Sequence, residues 1–399
     1  MSGRPIRRDL TDPLVDEAFY GGDPFPHYAR LRAEAPLVWH PEPGFWVASR
    51  HADVLAVSTD SATYSSSKGI LALEIGIEYP TPPTMMHVDP PEHTAYRQRL
   101  APAFRPSRMA ALEERVAERV SAVVDGVALD VDIDGLLSLA VPLPLMVIAD
   151  LLGVDRDEWP RFYEWSEATI PDATDWPEER KAALRADMEA HLMDVVARRR
   201  AEPREDLISD LVGDGQLADH EVWMFLQQLL VAGNETTRNL IAGGLQAFCE
   251  HPGEWARLRA DRSLVPTAVD ELLRWTTPVV AFMRTATRDV RLGGDGPEAV
   301  DVAAGDPVVM LYASANRDEA QFGSTADTLD VGRAPNHHLA FGFGTHYCIG
   351  AALARMEARL LLAALLDRVE RIEAAGEARR TPSSIIAGWQ ALPLHLAAA

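Results

Sequence analysis

The chain has 399 residues, of which 47% are hydrophobic and 25% charged, a composition typical of soluble globular proteins and unlike that of disordered or fibrous ones. Its 60 acidic and 38 basic side chains give a formal net charge of −22, which argues against nucleic acid and anionic membrane surfaces as partners. Two cysteines cannot build a disulfide framework, and neither a signal peptide nor a long apolar span is evident. We therefore expect a cytoplasmic protein without a membrane anchor, in which an N-terminal segment, residues 1–22, precedes one large domain, residues 23–399.

The N-terminal part of the chain predicts one helix and then a small β region. Residues 24–35 have the spacing of an amphipathic helix, and residues 37–40 and 44–49 carry β-favouring side chains on either side of a Pro/Gly turn. Residues 65–86 follow as a long apolar stretch that Gly and Pro interrupt repeatedly. This pattern indicates an irregular loop that faces an apolar molecule or surface.

The next segment places two cations on one predicted helix face. Two prolines favour a helix start, and His93 and Arg97 then lie at positions i and i+4. Such a pair can bind an anion, although the same spacing also occurs on basic surfaces exposed to solvent. From His93 to Ala111 the chain has no acidic residue, which is unusual in a sequence this acidic. The arginines of this basic segment are Arg97, Arg99, Arg105 and Arg108.

Helical periodicity is continuous over residues 219–250, about 32 residues or roughly 48 Å, with Asp219 as the expected N-cap. The middle of this long helix breaks its own apolar pattern with Gly233, Glu235 and Thr236. Gly is unfavourable inside a helix, and polar groups are costly among apolar neighbours. The break therefore indicates a functional site. The alternative is a kinked buried helix whose threonines bond back to the preceding turn.

Two further features precede the C-terminal region. Glu271 and Arg274 lie one turn apart on a predicted helix, and Arg333 is available as a third member of a charged cluster. Alone, such a Glu–Arg pair is common on helices exposed to solvent. Residues 279–288 predict a β-strand that contains Arg284.

Residues 341–350, Phe-Gly-Phe-Gly-Thr-His-Tyr-Cys-Ile-Gly, place Cys348 in a glycine-rich loop that leads directly into a predicted helix. At a helix N-terminus, unpaired N–H groups and the helix dipole lower the pKa of a thiol and stabilise the thiolate. His346 is two residues away, and we do not expect it to act as the base for a nucleophile. The pattern favours a thiolate metal ligand over a nucleophile or a buried structural cysteine.

The spacing Phe-x-x-Gly-x-His-x-Cys-x-Gly resembles the haem-binding loop of the cytochrome P450 family, in which this cysteine is the axial iron ligand. Other stretches resemble family motifs in the family's order: Asp-Pro-Pro-Glu-His at 89–93, Ala-Gly-Asn-Glu-Thr at 232–236 and Glu-Leu-Leu-Arg at 271–274. The resemblance extends over residues 23–396. It identifies the chain as similar to the soluble bacterial members of the family.

This resemblance implies a mainly α fold, a triangular helical single domain with a small β-rich region, in which haem b lies between the long helix and the Cys348 loop. It implies that Cys348 ligates the iron and that the helix is widened at Gly233. It implies a buried network of Glu271, Arg274 and Arg333 that fixes the cysteine loop. The other residues implied to bind the cofactor are His93, Arg97, Ala232, Gly233, Arg284, Phe341, Gly342, His346 and Gly350.

The implied reaction inserts one oxygen atom of O2 into a C–H bond, with Glu235 turning outward to relay protons from solvent and Thr236 as its catalytic partner. Electrons from NAD(P)H would arrive through a separate ferredoxin reductase and an acidic ferredoxin that docks on the basic segment. The enzyme would act as a monomer on a hydrophobic small molecule, because the residues expected to line the substrate pocket are apolar. These are Ile70, Leu71, Leu73, Val279, Val280, Phe282 and Met283.

Two alternatives remain beside this interpretation. A peroxide-driven enzyme of the same family typically lacks the acid-alcohol pair, so Glu235 and Thr236 argue against it. A non-catalytic zinc protein could use the histidines and the cysteine near residue 340, but their spacing suits no usual zinc site and leaves the break in the long helix unexplained. Those ligands would be His337, His338, His346 and Cys348.

Overall fold

The computed structural model describes residues 4–170 and 174–399 and is mainly helical with several small β-sheets, as the resemblance implied. The chain divides into two compact units. Unit 1 contains residues 270–348 and 380–388 together with the chain up to residue 94, and unit 2 contains the rest.

The bounds of the regular elements are as follows. The α-helices are α1 (Arg8–Thr11), α2 (Glu17–Tyr20), α3 (Phe25–Glu34), α4 (His51–Thr59), α5 (Glu92–Leu100), α6 (Pro106–Asp125), α7 (Pro142–Leu152), α8 (Trp159–Thr169), α9 (Glu178–Ala201), α10 (Leu207–Val212), α11 (Asp219–Glu250), α12 (Pro252–Ala260), α13 (Val265–Thr276), α14 (Tyr312–Ala315), α15 (Glu319–Phe322) and α16 (Ala351–Arg368). The strands are β1 (Leu37–His40), β2 (Phe45–Ala48), β3 (Tyr64–Ser65), β4 (Asp132–Asp134), β5 (Phe282–Ala286), β6 (Val290–Leu292), β7 (Val300–Val302), β8 (Pro307–Met310), β9 (Val369–Ala374), β10 (Arg379–Arg380), β11 (Trp389–Ala391) and β12 (Pro393–Ala398).

Unit 1 is built on a five-stranded sheet in the order β1-β2-β8-β5-β3. The strands β2 and β8 run parallel and the other neighbours antiparallel, with Trp39 opposite Trp46 in the predicted hairpin. All of β2 is buried, because Trp46 and Met310 belong to one apolar cluster while Phe45 and Val309 belong to another. Since both faces of the sheet are covered, the sequence there is continuously apolar instead of alternating.

Residues 4–22, expected as a segment that precedes the domain, pack into unit 1. Leu10 and Tyr20 are buried in the same apolar cluster as Tyr28 of α3. The boundary at residue 22 therefore does not separate this segment from the folded unit. Its apolar side chains are scattered over short helices, and only the tertiary structure buries them together.

Helix α11 is the central helix of unit 2 and packs against α7, α8, α9 and α16. It runs from Asp219 to Glu250, as the periodicity predicted. The N-cap is Ala218 and not Asp219, because the Glu221 carboxylate accepts the N–H of Ala218 at 2.8 Å. An antiparallel sheet in the order β4-β12-β9 belongs to the same unit. Among the described residues, none of the helices is both long and apolar enough to cross a membrane.

Unit 1 contains a fully buried ion-pair network on α13. Glu271 and Arg274 have no exposed surface, and each carboxylate oxygen of Glu271 accepts one N–H of Arg274 at 2.8 Å. Arg333 donates its Nε–H to Glu271 at 3.0 Å. The structure therefore brings together the three residues that were expected to form a network, in the bidentate geometry that makes such pairs strong.

The same network fixes the chain that leads to the cysteine loop. The remaining N–H groups of Arg274 donate to the carbonyls of Asn316 at 2.9 Å, Ala326 at 2.7 Å and Thr328 at 3.0 Å. The side-chain oxygen of Asn316 then accepts the N–H of Leu339 at 2.7 Å, just before the loop begins. The position of the loop thus depends on a guanidinium with no contact to solvent.

We predict that Glu271→Gln lowers the free energy of unfolding by about 3–5 kcal/mol, because two guanidinium groups lose a buried counter-charge. A matched control is Glu254→Gln, which removes a partly exposed ion pair with Arg257 of the same i,i+3 spacing. That change should cost less than about 1 kcal/mol. Urea unfolding of both variants measures the difference, and equal losses would contradict the role given to the buried network.

Candidate active site

The cysteine loop of unit 1 is a tight turn that leaves the Cys348 thiol exposed. The Cys348 N–H donates to the carbonyl of Phe341 at 3.0 Å and so closes the loop. Gly342 and Gly344 have φ of +65° and +70°, and a Cβ on Gly344 would lie 2.5 Å from the carbonyl oxygen of Ser58. Helix α16 begins three residues after the cysteine, with Gly350 as its N-cap. The local sequence therefore folds so that the thiol precedes a helix start, as predicted.

Two of the predicted cofactor-binding histidines meet in unit 1. The rings of His93 and His346 lie 4.2 Å apart between centroids, although the residues are far apart in the sequence. Nε2 of His346 is 2.8 Å from the hydroxyl of Ser66, which donates to Asp89 at 3.1 Å. Asp89 also accepts the N–H of Ser66 at 2.8 Å. These contacts fix the orientation of the His346 ring.

Arg284 on β5 is a buried cation without an acidic partner among the described residues. Its Nη1 donates to the carbonyl of the preceding residue, Met283, at 2.7 Å. Burial lowers the pKa of Arg284, while the nearby Tyr312 and Asp89 oppose that shift. Because an uncompensated buried guanidinium is costly, this side chain suits a bound anion.

The unit 1 residues fit a haem. Cys348 would supply a thiolate ligand for iron, and His346, His93 and the buried guanidinium of Arg284 suit carboxylate groups of the kind that haem carries. Arg97, one turn after His93 on α5, belongs to unit 2, and it also has no acidic partner among residues 4–170 and 174–399. The fit rests on the chemistry of these donors and on the missing counter-charge of Arg284.

The predicted widening of the long helix is absent from the structure. Helix α11 is α-helical throughout, and the Thr236 hydroxyl donates to the carbonyl of Ala232 at 2.8 Å. This back-bond is the alternative geometry considered from the sequence, and it requires no break in the backbone. Gly233 packs against α7, since a Cβ there would lie 3.1 Å from Cδ1 of Ile148. Ala232 is exposed and Thr236 half-buried, so one side of this turn remains uncovered within unit 2.

Glu235 was expected to turn toward solvent, but the structure buries it against α8. Its carboxylate accepts hydrogen bonds from Ser166 at 3.1 Å and from Asn234 at 3.2 Å, and forms a short ion pair with Arg238. Arg238 also binds Glu167 of α8 at 2.6 Å. Two buried carboxylates therefore share one guanidinium. Arg238 at i+3 could have been found from the sequence, whereas Glu167 carries no local signal.

The pKa of Glu235 follows from this arrangement. Burial raises it to about 7, Arg238 opposes the shift, and the neighbouring charge of Glu167 reinforces it. A carboxyl group with such a pKa can hold or release a proton near neutral pH. The site thus has a titratable group of suitable strength at the predicted position.

The residues expected to line the substrate pocket do not share one environment. Side chains alternate along β5, so Phe282 and Arg284 lie on one face and Met283 on the other. Met283, Val280 and Ile70 are buried, the first two in an apolar core cluster of unit 1. Three of the expected residues are half-buried and one is exposed, so these could meet a bound ligand. They are Leu71, Val279, Phe282 and Leu73.

The basic segment is less positive than its sequence indicated. Arg99 forms a short ion pair with Asp214, and Arg108 binds Asp210 at 3.1 Å. These acids come from a part of the chain about a hundred residues later, so the local sequence could not show them. Arg105 is exposed and has no acidic partner among the described residues.

The zinc alternative finds no cluster to support it. Among the residues that the structure describes, no three histidine, cysteine or acidic side chains are grouped so that they could hold a metal ion. His346 is held by Ser66, and the ring of His338 lies 3.4 Å from Asp270. The Cys348 thiol is therefore placed to serve as a single protein ligand.

Comparison with known proteins agrees with this site. The family model described as Cytochrome P450 matches residues 173–383. Linalool 8-monooxygenase of Pseudomonas putida is 35% identical over 98% of this chain and 99% of its own. Steroid C26-monooxygenase of Rhodococcus jostii is 35% identical over 96% of this chain and 82% of its own. The Mycobacterium marinum cytochrome P450 solved in complex with pseudoionone superposes with a TM-score of 0.87 at 32% identity, covering 99% and 100% of the two chains.

These similarities extend over nearly the entire chain and include the whole cysteine loop. The chain therefore belongs to the cytochrome P450 family and is a haem-thiolate monooxygenase.

Proposed function

We propose that this protein hydroxylates a hydrophobic small molecule and that it works as a monomer in the cytoplasm with one bound haem b. The observation that carries the proposal is the grouping in unit 1 of an exposed thiol loop, two histidines whose rings are in contact, and a buried arginine without an acidic partner among the described residues. When bound, the haem supplies the activation of O2 and the insertion of one oxygen atom into a C–H bond. The residues of the chain bind that group, position the reactants and move protons.

In this proposal Cys348 holds the iron through its thiolate. His346, His93, Arg284 and Arg97 hold the carboxylates of the cofactor, since each is a cation or a neutral donor suited to an anion. The remaining residues would contact the macrocycle through small or flat surfaces that allow a close approach. These are Ala232, Gly233, Phe341, Gly342 and Gly350.

Glu235 and Thr236 are the proposed proton-delivering pair. The Thr236 hydroxyl lies at the uncovered turn of α11 and donates its proton to the carbonyl of Ala232, so it must release this bond before it can donate to a reacting oxygen. Glu235 is ionisable near neutral pH but is held by Ser166 and Arg238. Proton delivery therefore requires Glu235 to leave these partners, or a water molecule to bridge from it.

We propose that electrons come from NAD(P)H through a ferredoxin reductase and a ferredoxin. Arg105 has no acidic partner among the described residues, so within the basic segment it is the arginine that can contact an acidic electron carrier.

The substrate class follows from the relatives, which include enzymes named for linalool and for a steroid. We therefore propose a terpenoid or steroid as the molecule that is hydroxylated. The Glu-Thr-Thr-Arg-Asn sequence at 235–239 resembles that of bacterial steroid and lipid hydroxylases.

The experiment for this function compares Thr236→Ala with Thr236→Ser under 18O-labelled O2. A library of terpenoids and steroids is screened first, and the compound that shifts the haem spin state most is then used as the substrate. We predict that the Ala variant still consumes NAD(P)H but forms at least about tenfold less labelled product, because no hydroxyl directs the proton. The Ser variant keeps the hydroxyl and should retain most of the product. Unlabelled product would contradict the monooxygenase reaction itself, and an unchanged yield in the Ala variant would contradict the role of Thr236.

A second prediction concerns pH. Because the folded state raises the pKa of Glu235 from its usual value near 4.5 to about 7, this group contributes stability that is fully present below pH 4.5. That contribution is lost as the pH rises through about 7. The free energy of unfolding of the parent relative to Glu235→Gln should therefore fall by up to about 3 kcal/mol between these pH values.

Glu167→Gln provides the matched test of the cause. It removes the like charge that reinforces the raised pKa of Glu235, so that pKa should be lower in this variant. The difference in free energy of unfolding between Glu167→Gln and the double variant Glu167→Gln/Glu235→Gln should therefore stop falling at a lower pH than the difference between the parent and Glu235→Gln. Denaturant unfolding at several pH values measures all four proteins. If the difference in free energy of unfolding between the parent and Glu235→Gln stays constant from pH 4.5 to 8, Glu235 does not titrate in this range.

A further inference from the structure

The irregular loop at residues 69–87 in unit 1 is organised around one buried carboxylate. Glu74 is 6% exposed and is the last residue of a short helical turn within this loop, residues 72–74. Its side chain accepts hydrogen bonds from both ends of the loop. The donors are the N–H groups of Ile70 at 2.7 Å and Leu71 at 3.1 Å, the hydroxyl of Tyr79 at 3.0 Å and Nε2 of His87 at 3.2 Å.

The histidine that completes this cluster is itself fixed. His87 is buried, and its Nδ1 is 2.9 Å from the hydroxyl of Thr84, which also accepts the N–H of Met86. The edge of the Tyr79 ring contacts the His87 ring at 5.6 Å between centroids. Glu74 therefore links the first residues of the loop to Tyr79 and His87, whose rings also contact each other.

The loop is attached to β5, the strand that carries Arg284. Met283 donates its N–H to the carbonyl of Ile70 at 2.6 Å. Gly69 has φ of +112°, and a Cβ there would lie 3.2 Å from Cβ of Glu74 and 3.4 Å from Cε of Met283. Ala72 also packs against the apolar cluster that contains Met283. The loop thus packs closely against the strand, and Gly69 leaves little space for a side chain between Glu74 and Met283.

Burial in this loop is the opposite of what side-chain polarity predicts, since apolar side chains are exposed and a charged one is buried. Leu73, Ile77 and Tyr79 expose 47%, 47% and 39% of their surfaces, while the charged Glu74 is buried among them. Burial opposes ionisation of Glu74, but the hydrogen bonds from His87 and from Ile70 outweigh it and hold its pKa below the usual value. Polar bonds to one ionised group, and not apolar burial of these three side chains, therefore keep this part of the loop in place.

We propose that Glu74 is a positioning residue that holds the 69–87 loop closed on β5, and that a bulky apolar ligand gains access when the bonds to Glu74 open together. This inference rests on the proposed function, because it concerns access to the site of hydroxylation. Opening as a unit follows from the convergence of the bonds on one side chain, since the loss of that side chain releases both ends of the loop. The exposed apolar side chains give such a ligand a surface on which to bind first.

Hydrogen exchange tests whether Glu74 holds the loop, with or without a bound ligand. In Glu74→Ala the amides of Ile70 and Leu71 should exchange at least about tenfold faster, because they lose a charged acceptor. The matched control is Glu78→Ala, which removes an exposed carboxylate of the same loop that has no hydrogen-bond or ion-pair partner among the described residues, so exchange of both amides should stay unchanged. Unchanged exchange in Glu74→Ala would overturn the proposal.

Ligand kinetics test whether the closed loop controls access. With the haem-loaded protein, association and dissociation rates of 4-phenylimidazole should both rise about tenfold in Glu74→Ala, because the open state is more populated. Cyanide is small enough not to need the opening, so its rates should stay at the parent values. Glu74→Gln, which keeps an acceptor but not the charge, should lie between the parent and the Ala variant.

The outcomes separate this inference from the proposed function. Faster exchange with unchanged 4-phenylimidazole rates would make Glu74 purely structural and would overturn the control of access. Equal acceleration of cyanide and 4-phenylimidazole would overturn it as well, since the effect would not depend on ligand size. A protein without a haem spectrum would contradict the proposed function, while hydrogen exchange would still show whether Glu74 holds the loop. If Glu74→Ala does not fold, Tyr79→Phe removes one bond and should change both measurements in the same direction by a smaller factor.

Discussion

A carboxylate shared by two arginines, with no contact to solvent, determines where the thiol loop of this protein lies. Glu271 orients Arg274, and Arg274 binds three backbone carbonyls in the segment that leads to the loop. Through Asn316 the same guanidinium is linked to Leu339, just before the turn that carries Cys348. Because breaking a buried ion pair leaves an uncompensated charge, the network favours this arrangement of the segment. The position of the Cys348 loop therefore depends on ion pairing some distance from it along the chain.

Buried charge has different uses elsewhere in the molecule. The pair of Glu271 and Arg274 is complete, which suits a structural role. Arg284 is buried without a counter-charge among the described residues, which suits a cofactor carboxylate. Glu235 shares Arg238 with another carboxylate, so its proton affinity is raised into the neutral range. The degree to which each buried charge is compensated thus distinguishes residues that fix the fold from residues that bind or exchange something.

Local signals in the sequence predicted much of this structure. The periodicity predicted the bounds of the 219–250 helix, although its N-cap is Ala218 and not Asp219, and the glycines around Cys348 predicted a tight turn before a helix. Contacts between distant segments could not be predicted in this way. The acids that pair with Arg99 and Arg108 lie about a hundred residues later, and the burial of Glu235 against α8 depends on Ser166, which has no recognisable motif. The widened helical turn was taken from the family resemblance, and here the Thr236 back-bond is accommodated in a continuous helix.

We propose that Cys348 binds haem iron as a thiolate. The most direct measurement is the absorption spectrum of the reduced protein with carbon monoxide, for the parent and for Cys348→His. The parent should show the red-shifted Soret band of a thiolate-ligated carbonyl haem, and the variant should lose that band while any retained haem absorbs as an imidazole complex. A parent spectrum without the red-shifted band, or the same band in Cys348→His, would contradict ligation of the haem iron by the Cys348 thiolate.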